Sequence, residues 1–504
     1  MRYFLGIDVG TSSVKTLLTD DAGTTVAVAQ REYDIQKPRM EYAQQDMRDL
    51  WKATKETICE IVRNPMVSKE QIEAVGYSGQ MHGLVMVDQN GELLQEAIIW
   101  CDQRSSKQVE KIYNTIGSER YKKITLNDLS TGFLLSSLLW VKEEKPEIYD
   151  KIWKIMLPKD YIRYRMCGNI GTDYSDASAS LCFDTSKGEW AWELIEKLEL
   201  REDIFPDCWE SHEAAGEVNA ECAKETGLKE GTLITYGGGD SLMQQIGNGV
   251  IDEYSPWIVN IGTSCSLNCI AGKPLHDSMY RTNTFCHVKR DRWMLMGANL
   301  CGGVVLKWLK DQVFHKKSYD EMTALAEHVP VGSDGLLFLP YLSGSRSPVN
   351  DPKAQGAYIG LTLGHTEEHM IRSAMEGIVL GMFTSYKIFE NQGLSTERMI
   401  ASGGGARGEL FLKMEADIFN KPVQVTDGNE QSCLGAAIAA AVGSGYYSGY
   451  QEACEMMVRF KNKIVLPDKK NHDVYMERYE VYKEIYSTNM KLFHVNRRVD
   501  RENV

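Results

Sequence analysis

The chain has 504 residues, 43% hydrophobic and 25% charged, with a net charge of −14. That is the composition of a large globular protein of two or three domains, and it excludes a largely disordered chain. The acidic balance excludes broad nucleic-acid or anionic-membrane binding, which needs a basic surface, and no apolar run approaches the ~18 residues of a membrane span.

Tyr3 to Asp8 is an apolar run ending in a carboxylate. Gly10-Thr11-Ser12-Ser13 is a turn, Val14 to Thr19 a second run, and Asp20-Asp21-Ala22-Gly23 a turn before Thr24 to Ala29. Three short runs with tight turns predict a β-meander. Ala74 to Tyr77 predicts a strand feeding the loop Ser78-Gly79-Gln80-Met81-His82-Gly83, and Asn90-Gly91 predicts a hairpin between Leu84 to Val87 and Leu93 to Trp100. Helical periodicity runs over 46–63, 105–116 and 135–145. Leu233 to Tyr236 is strand-like ahead of Gly237-Gly238-Gly239-Asp240-Ser241. Met399 to Ser402, Glu409 to Asn420 and Val423 to Thr426 predict strand, helix and strand, and the last thirty or so residues predict a closing amphipathic helix. Strands and helices together give a mixed α/β class. Twelve cysteines lie between Cys59 and Cys454 with no CxxC pair, the usage of reduced thiols. The opening MRYFLGIDVG is too short and glycine-broken for a signal peptide, so a cytoplasmic location is expected.

One internal echo organises the chain. Asp8-Val9-Gly10-Thr11-Ser12 recurs half a chain later as Asn260-Ile261-Gly262-Thr263-Ser264. Each copy follows one apolar run and precedes another, so a duplicated domain is predicted. The boundary falls near 245–256, where Gly247, Gly249 and Pro256 cluster, giving units 1–247 and 248–504.

The chemistry gathers in the loops. Asp8 at a strand end can stand beside a hydrated Mg²⁺, while backbone N–H groups and hydroxyls over Gly10 to Ser13 can nest an anion, with Lys15 adding a cation. The plain alternative is a satisfied hairpin turn. Asp240, behind three glycines, suits a carboxylate that accepts a hydroxyl proton; it would equally serve as the N-cap of the next helix. Gln80 and His82 can hydrogen-bond hydroxyls. Gly403-Gly404-Gly405-Ala406-Arg407-Gly408 fits G-x-G-x-x-G, with Asp427 about twenty residues on, the pattern of a dinucleotide-binding oxidoreductase. Too little chain follows for the rest of such a domain. His365-Thr366-Glu367-Glu368-His369 spells an inverted zinc-protease string, but Gly364 and two acids there read as a helix start.

Taken together, GIDVGTSSVK, YSGQMHG, LPKDYIRYRMCG, TDYSDAS, GGGD, NIGTS and GGGAR resemble the FGGY carbohydrate kinases, and within them the xylulokinase group. The family's second signature is present as Gly356-x-Tyr358-x-Gly360-Leu361, seven residues, then His369-Met370-x-x-Ser373-Ala374-Met375-Glu376, which absorbs the zinc string. The resemblance implies two duplicated actin-like, ribonuclease-H-like domains with sugar and ATP-Mg²⁺ in the cleft between them, and a homodimer at family level. It implies Asp240 as general base, and Gln80, Met81 and His82 on the sugar. It places Asp8 near Mg²⁺, Gly10, Thr11, Ser12, Lys15 and Thr263 on phosphates, and Gly303, Gly404 and Gly405 on the nucleotide. The sequence departs from the pattern at four places. Ser241 stands where Asn is usual and Cys101 replaces Asn in W-N-D-x-R; Ser345 replaces the acid of S-G-E-R-T-P, and Ser136-Ser137 replace Pro-Lys. The expected reaction is ATP-dependent phosphorylation of a ketose, D-xylulose first, with another pentulose or a polyol as the close rival. An actin- or chaperone-like nucleotide switch is the more distant rival.

Overall fold

A computed structural model of the chain describes residues 2–316 and 318–499. The predicted meander is β1 (Tyr3–Val9), β2 (Ser13–Asp20) and β3 (Thr25–Glu32). β4 (Ile72–Gly79) runs parallel to β1 on its other side. With β5 (Ala214–Glu217) and β6 (Leu233–Thr235) the order is β5-β6-β4-β1-β2-β3, and β7 (Gly238–Gly239) also pairs with β4. β1 is buried along nearly its whole length, while β3 at the edge is half-exposed. The first is therefore a continuous apolar run and the second alternates with polar residues.

A second sheet of seven strands contains β8 (Trp257–Ile261), β9 (Cys265–Ala271), β10 (Asn283–Cys286), β11 (Trp293–Asn299), β12 (Met399–Ser402), β13 (Val423–Thr426) and β14 (Phe460–Val465). Its order is β10-β11-β9-β8-β12-β13-β14. The repeat is visible in the pairing. β1 is antiparallel to β2 and parallel to β4; β8 is antiparallel to β9 and parallel to β12. Each half thus offers one polar hairpin loop, Gly10 to Ser12 and Gly262 to Ser264, closed by Gly10 N–H to Ser13 O (3.0 Å) and Gly262 N–H to Ser264 O (2.9 Å).

Helix α1 (Asp240–Gly247) follows β7, and α2 (Gln431–Gly443) packs against α1, β1 and β4. Although α2 comes late in the chain, it lies on the first sheet. Its run Ala436 to Ala441 is fully buried, and Gly6 of β1 and Gly76 of β4 let it approach. A Cβ on either would fall about 2 Å from a helix carbonyl, 1.9 Å at Cys433 and 2.0 Å at Ala436. Helix α3 (Lys469–Val499) closes the second half as predicted. Among the described residues no helix is long and apolar enough to cross a membrane.

The expected hairpin at Asn90-Gly91 forms: Val87 bridges Leu93 and Leu84 bridges Ile98, both antiparallel, with Leu84 N–H to Ile98 O at 2.8 Å and Ile98 N–H to Leu84 O at 3.0 Å. Asp88 Oδ1 accepts from the N–H groups of Asn90 (2.8 Å) and Glu92 (3.0 Å). Each arm also pairs outward, Val85–Val87 with Lys154–Met156 and Ala97–Ile98 with Gln44–Gln45. The ribbon is thus extended by tertiary pairing of its buried apolar segments.

Candidate active site

The first sheet's register builds the site. Lys15, Asp8, Ser78 and Gly238 lie side by side across β2, β1, β4 and β7. The next row ends in Gly239, and the chain then turns into α1 with Asp240 as its first residue. Gly239 is the N-cap, so the alternative reading of Asp240 as the cap is corrected. Its carboxylate turns back on its own turn instead. Oδ1 accepts from Ser241 N–H (2.6 Å) and Ser241 Oγ (3.3 Å). Oδ2 accepts no hydrogen bond from any described residue. Burial, and then the charge of Asp8, push the Asp240 carboxyl up to about 7, so it changes protonation state near neutrality.

Asp8 Oδ1 accepts from Ser78 Oγ (2.7 Å). Burial raises its carboxyl, opposed by Ser78 and Lys15. Lys15 is not free. Its Nζ is 2.7 Å from Glu430 Oε2, at the start of α2. Sequence reasoning missed this acid, which lies hundreds of residues away in the chain. Thr11 is engaged too: Trp100 Nε1 donates to its Oγ1 (2.9 Å) and Gln45 Nε2 to its carbonyl (2.7 Å). Ser12 remains exposed.

The Gln80–Met81–His82 loop follows β4 directly. Gln80 is 1% exposed and braces the hairpin, donating from Nε2 to Gln45 Oε1 (2.8 Å) and Gly10 O (3.3 Å), while its Oε1 is left without a partner. Met81 packs on Gly239: a Cβ there would lie 2.9 Å from Met81 Cγ. This contact joins the loop to the Asp240 turn. His82 adopts a left-handed backbone, φ 75°. Its Nδ1 meets Ala179 O at 2.7 Å and its ring lies 4.1 Å from that of Phe133. Burial lowers its pKa to about 3, so the ring is neutral. A proton on Nδ1 facing a carbonyl leaves Nε2 as an acceptor.

Beneath both loops lies a charged cluster that strings alone did not reveal. Lys159 Nζ, fully buried, contacts Asp160 (2.7 Å), Asp173 (2.9 Å) and Asp176 (3.1 Å). Burial works against its charge, but the aspartates outweigh that and raise its pKa. The Lys159 stem lies under Gly79, where a Cβ would be 2.7 Å from Lys159 Cβ. Asp173 accepts from Ser175 Oγ, which in turn accepts from Gly239 N–H at 3.1 Å. The LPKDYIRYRMCG and TDYSDAS strings are thus the underside of the site.

In the second half three loops converge on Ile261 and Gly262. Thr263 O accepts from Gly302 N–H (3.0 Å) and Val304 N–H (3.1 Å), and Gly262 O from Gly303 N–H (2.8 Å). A Cβ on Gly405 would be 2.7 Å from Ile261 Cβ, and Gly404 is exposed beside it. Thr263, Gly303, Gly404 and Gly405 are therefore brought together, presenting mostly backbone. The residues of the zinc string cap a helix: His369 Nδ1 and Thr366 Oγ1 are 2.9 Å apart at the start of Glu367–Asn391.

Two like domains, each with a polar hairpin, one holding half-buried carboxylates and the other glycine-rich backbone, define a phosphotransferase of the actin-like class. Residues 3–247 match the N-terminal domain, and 258–444 the C-terminal domain, of the FGGY family of carbohydrate kinases; the chain belongs to that family. It is 34% identical to a xylulose kinase of Bacillus subtilis (strain 168) over 487 residues, 97% of both chains. It is 30% identical to a gluconokinase of the same organism over 467 residues, 90% of both. Its fold superposes on a ligand-bound xylulose kinase from Lactobacillus acidophilus with a TM-score of 0.92 and 25% identity, covering 97% of this chain and 99% of the other. The protein is a carbohydrate kinase, with ATP as phosphate donor and a small-molecule sugar as acceptor.

Proposed function

We propose that the acceptor is a ketose, D-xylulose first, converted to D-xylulose 5-phosphate with Asp240 as general base. The observation that carries this reading is the Asp240 carboxylate: half-buried, raised to about 7, with Oδ2 unengaged, and packed beside the Met81 loop. The sugar hydroxyl oxygen attacks the γ-phosphorus in line, and its proton passes to Asp240 Oδ2. The bond from the γ-phosphorus to the bridging β,γ-oxygen breaks, and ADP leaves with the electron pair. Met81 and His82 line the acceptor, with Gln80 fixing their loop. Gly10, Thr11, Ser12, Lys15 and Thr263 face phosphates, and Gly303, Gly404 and Gly405 face the nucleotide. The donor set fits Mg²⁺ carried in with ATP. Asp8 offers one carboxylate oxygen beyond its Ser78 bond. No described cluster of three or more His, Cys, Asp or Glu forms a cage of its own, so the remaining ligands would come from ATP phosphates and water. When bound, Mg²⁺ neutralises phosphate charge.

Ser241 and the gluconokinase relative favour a second reading, another acceptor for the same base and phosphate loops. Coupled ADP release with Mg-ATP, tested against pentuloses, hexuloses and polyols, separates the two. Selectivity for D-xylulose supports the first; selectivity for another sugar moves specificity to the altered loops. No sugar response at all defeats both.

A further inference from the structure

Arg346 stands apart from the other cations around the cleft. Lys15 is paired with Glu430, and Lys159 with three aspartates. Arg346 forms no ion pair and its guanidinium no hydrogen bond with any described residue. It comes from the second half, on a segment anchored by Ser347 N–H to Ala298 O (3.0 Å) and by reciprocal backbone bonds between Ser345 and Asp351 (both 2.9 Å). It reaches onto rings of the first half. Its guanidinium carbon lies 5.5 Å from the Trp100 ring centre and 5.8 Å from that of Phe133. Phe133 is the ring stacked beside His82, and Trp100 is the one bonded to Thr11. Aromatic faces support the charge but leave its in-plane N–H groups unused. Ser345 stands where the family pattern carries an acid, and its Oγ turns to Ser347 O (3.4 Å), so the neighbouring position supplies no counter-charge.

The position of this group along the cleft is also defined. Phe133 touches both groups: its ring centre is 4.1 Å from that of His82 and 5.8 Å from the Arg346 guanidinium carbon. Arg346 is therefore at the His82 end. At that end two neighbours have opposite demands. His82 Nε2 can only accept, so it suits a hydroxyl; Arg346 can only donate, so it suits an oxygen that carries no proton.

We propose that Arg346 is a specificity residue that donates to an acceptor-only oxygen of the sugar, a ketone or carboxylate oxygen, at the His82 end of the site. This rests on the acceptor-kinase reading above and narrows it: the substrate carries an oxo or carboxylate group, and a polyol is disfavoured. A hydroxyl in that place accepts less well and leaves the guanidinium under-used. Sites built on such a bond reject the analogue lacking it strongly, by up to ~10⁴-fold.

The test compares D-xylulose, xylitol and D-xylonate as acceptors for the wild type and for Arg346→Met, which keeps a long unbranched side chain and removes the guanidinium. Arg346→Lys keeps the charge without the fork. Thermal unfolding of each variant checks that the fold persists, and calorimetric binding of each acceptor without ATP supplies a readout independent of turnover. The expected result is a fall of about 100-fold in kcat/KM for the preferred oxo or carboxylate acceptor in Arg346→Met, with xylitol changed less than about threefold and Arg346→Lys between. A loss confined to D-xylulose identifies the ketone, and one confined to D-xylonate the carboxylate. An equal loss for all three acceptors, or an unchanged ranking, overturns the assignment of Arg346 and leaves the kinase reading standing. A wild type that binds none of the three overturns the acceptor reading and this inference with it.

Discussion

Asp8 in the first half and Asn260 in the second occupy the same place on the same hairpin. Asp8 sits between Lys15 and Ser78 in its sheet; Asn260 sits between Ser266 and Ser402. The continuation differs as the row does. Beyond Ser78 the first half adds β7 and then Asp240, giving two carboxylates, of which Asp8 raises the proton affinity of Asp240. Beyond Ser402 the second half adds Gly403, whose backbone at φ 77° passes so close to Asn260 that a Cβ would be 2.7 Å from its Oδ1. Duplication therefore kept the scaffold and divided the labour. One copy holds the carboxylates, where the proposed base would take its proton. The other is neutral and presents backbone, which suits a bulky nucleotide that needs shape and hydrogen bonds.

The sharpest way to break this division is Asp240→Asn. Side-chain size is kept and only the base is lost, so kcat should fall by ~10³-fold or more, while sugar and ATP still bind by calorimetry. Near-normal turnover would show that the charged half does not carry the chemistry. A wild-type pH profile sharpens the same point. Asp240 acts only when deprotonated, so kcat/KM should rise with pH through about 7 and level off above it.

Asp8→Asn makes the first row resemble the second. It removes a like charge from beside Asp240, so the acid limb of the profile should move to lower pH, the direction opposite to Asp8's present effect. Turnover should fall as well, by less than in Asp240→Asn, because the Mg²⁺ that would neutralise phosphate charge loses the Asp8 carboxylate. An unmoved limb would mean that the two carboxylates are not coupled. The matching change in the other half is Gly403→Ala. The new Cβ would meet Ile261 O at 2.6 Å in a left-handed backbone, a strain of about 1–3 kcal/mol. The KM for ATP should rise on the order of tenfold while sugar affinity holds. Equal effects on both substrates would argue against a separate nucleotide half.

Much of this contrast was legible in the sequence, because it is carried by local signals. The Asp8 and Asn260 echoes, the strand before GGGD and the strand–turn–helix around Gly403 depend on short apolar runs and glycines, and each forms where expected. What was not legible depends on contacts across the chain. Nothing near Lys15 announces Glu430, nor does anything near Met81 announce the Lys159 cluster. The string YSGQMHG also gives no hint that Gln80 spends its amide on Gln45 while His82 stacks on Phe133. The Asn90 hairpin shows both cases. Its turn is local and forms where expected, but the outer partner of Val85–Val87, Lys154–Met156, comes from far along the chain.

Glu430→Gln gives the smallest expected effect and tests how the two halves are joined. The Lys15–Glu430 pair links β2 to the start of α2, the late helix lying on the first sheet. Both side chains are a quarter or more exposed, 29% and 25%, so solvent screens the pair and its contribution is about 0.5–1 kcal/mol. Burial of the α2 alanines against β1 and β4 stabilises the junction more, and the substitution leaves it untouched. Thermal unfolding should therefore shift down by only a few degrees. The kinetic effect should be more informative than the thermal one. With Glu430 neutral, Lys15 keeps its charge and loses its partner, so it is released toward the Gly10–Ser12 loop. If Lys15 serves phosphates there, the KM for ATP should hold or fall. A rise in KM together with a large loss of stability would mean that the pair positions α2, and that Lys15 serves the fold and not the phosphate.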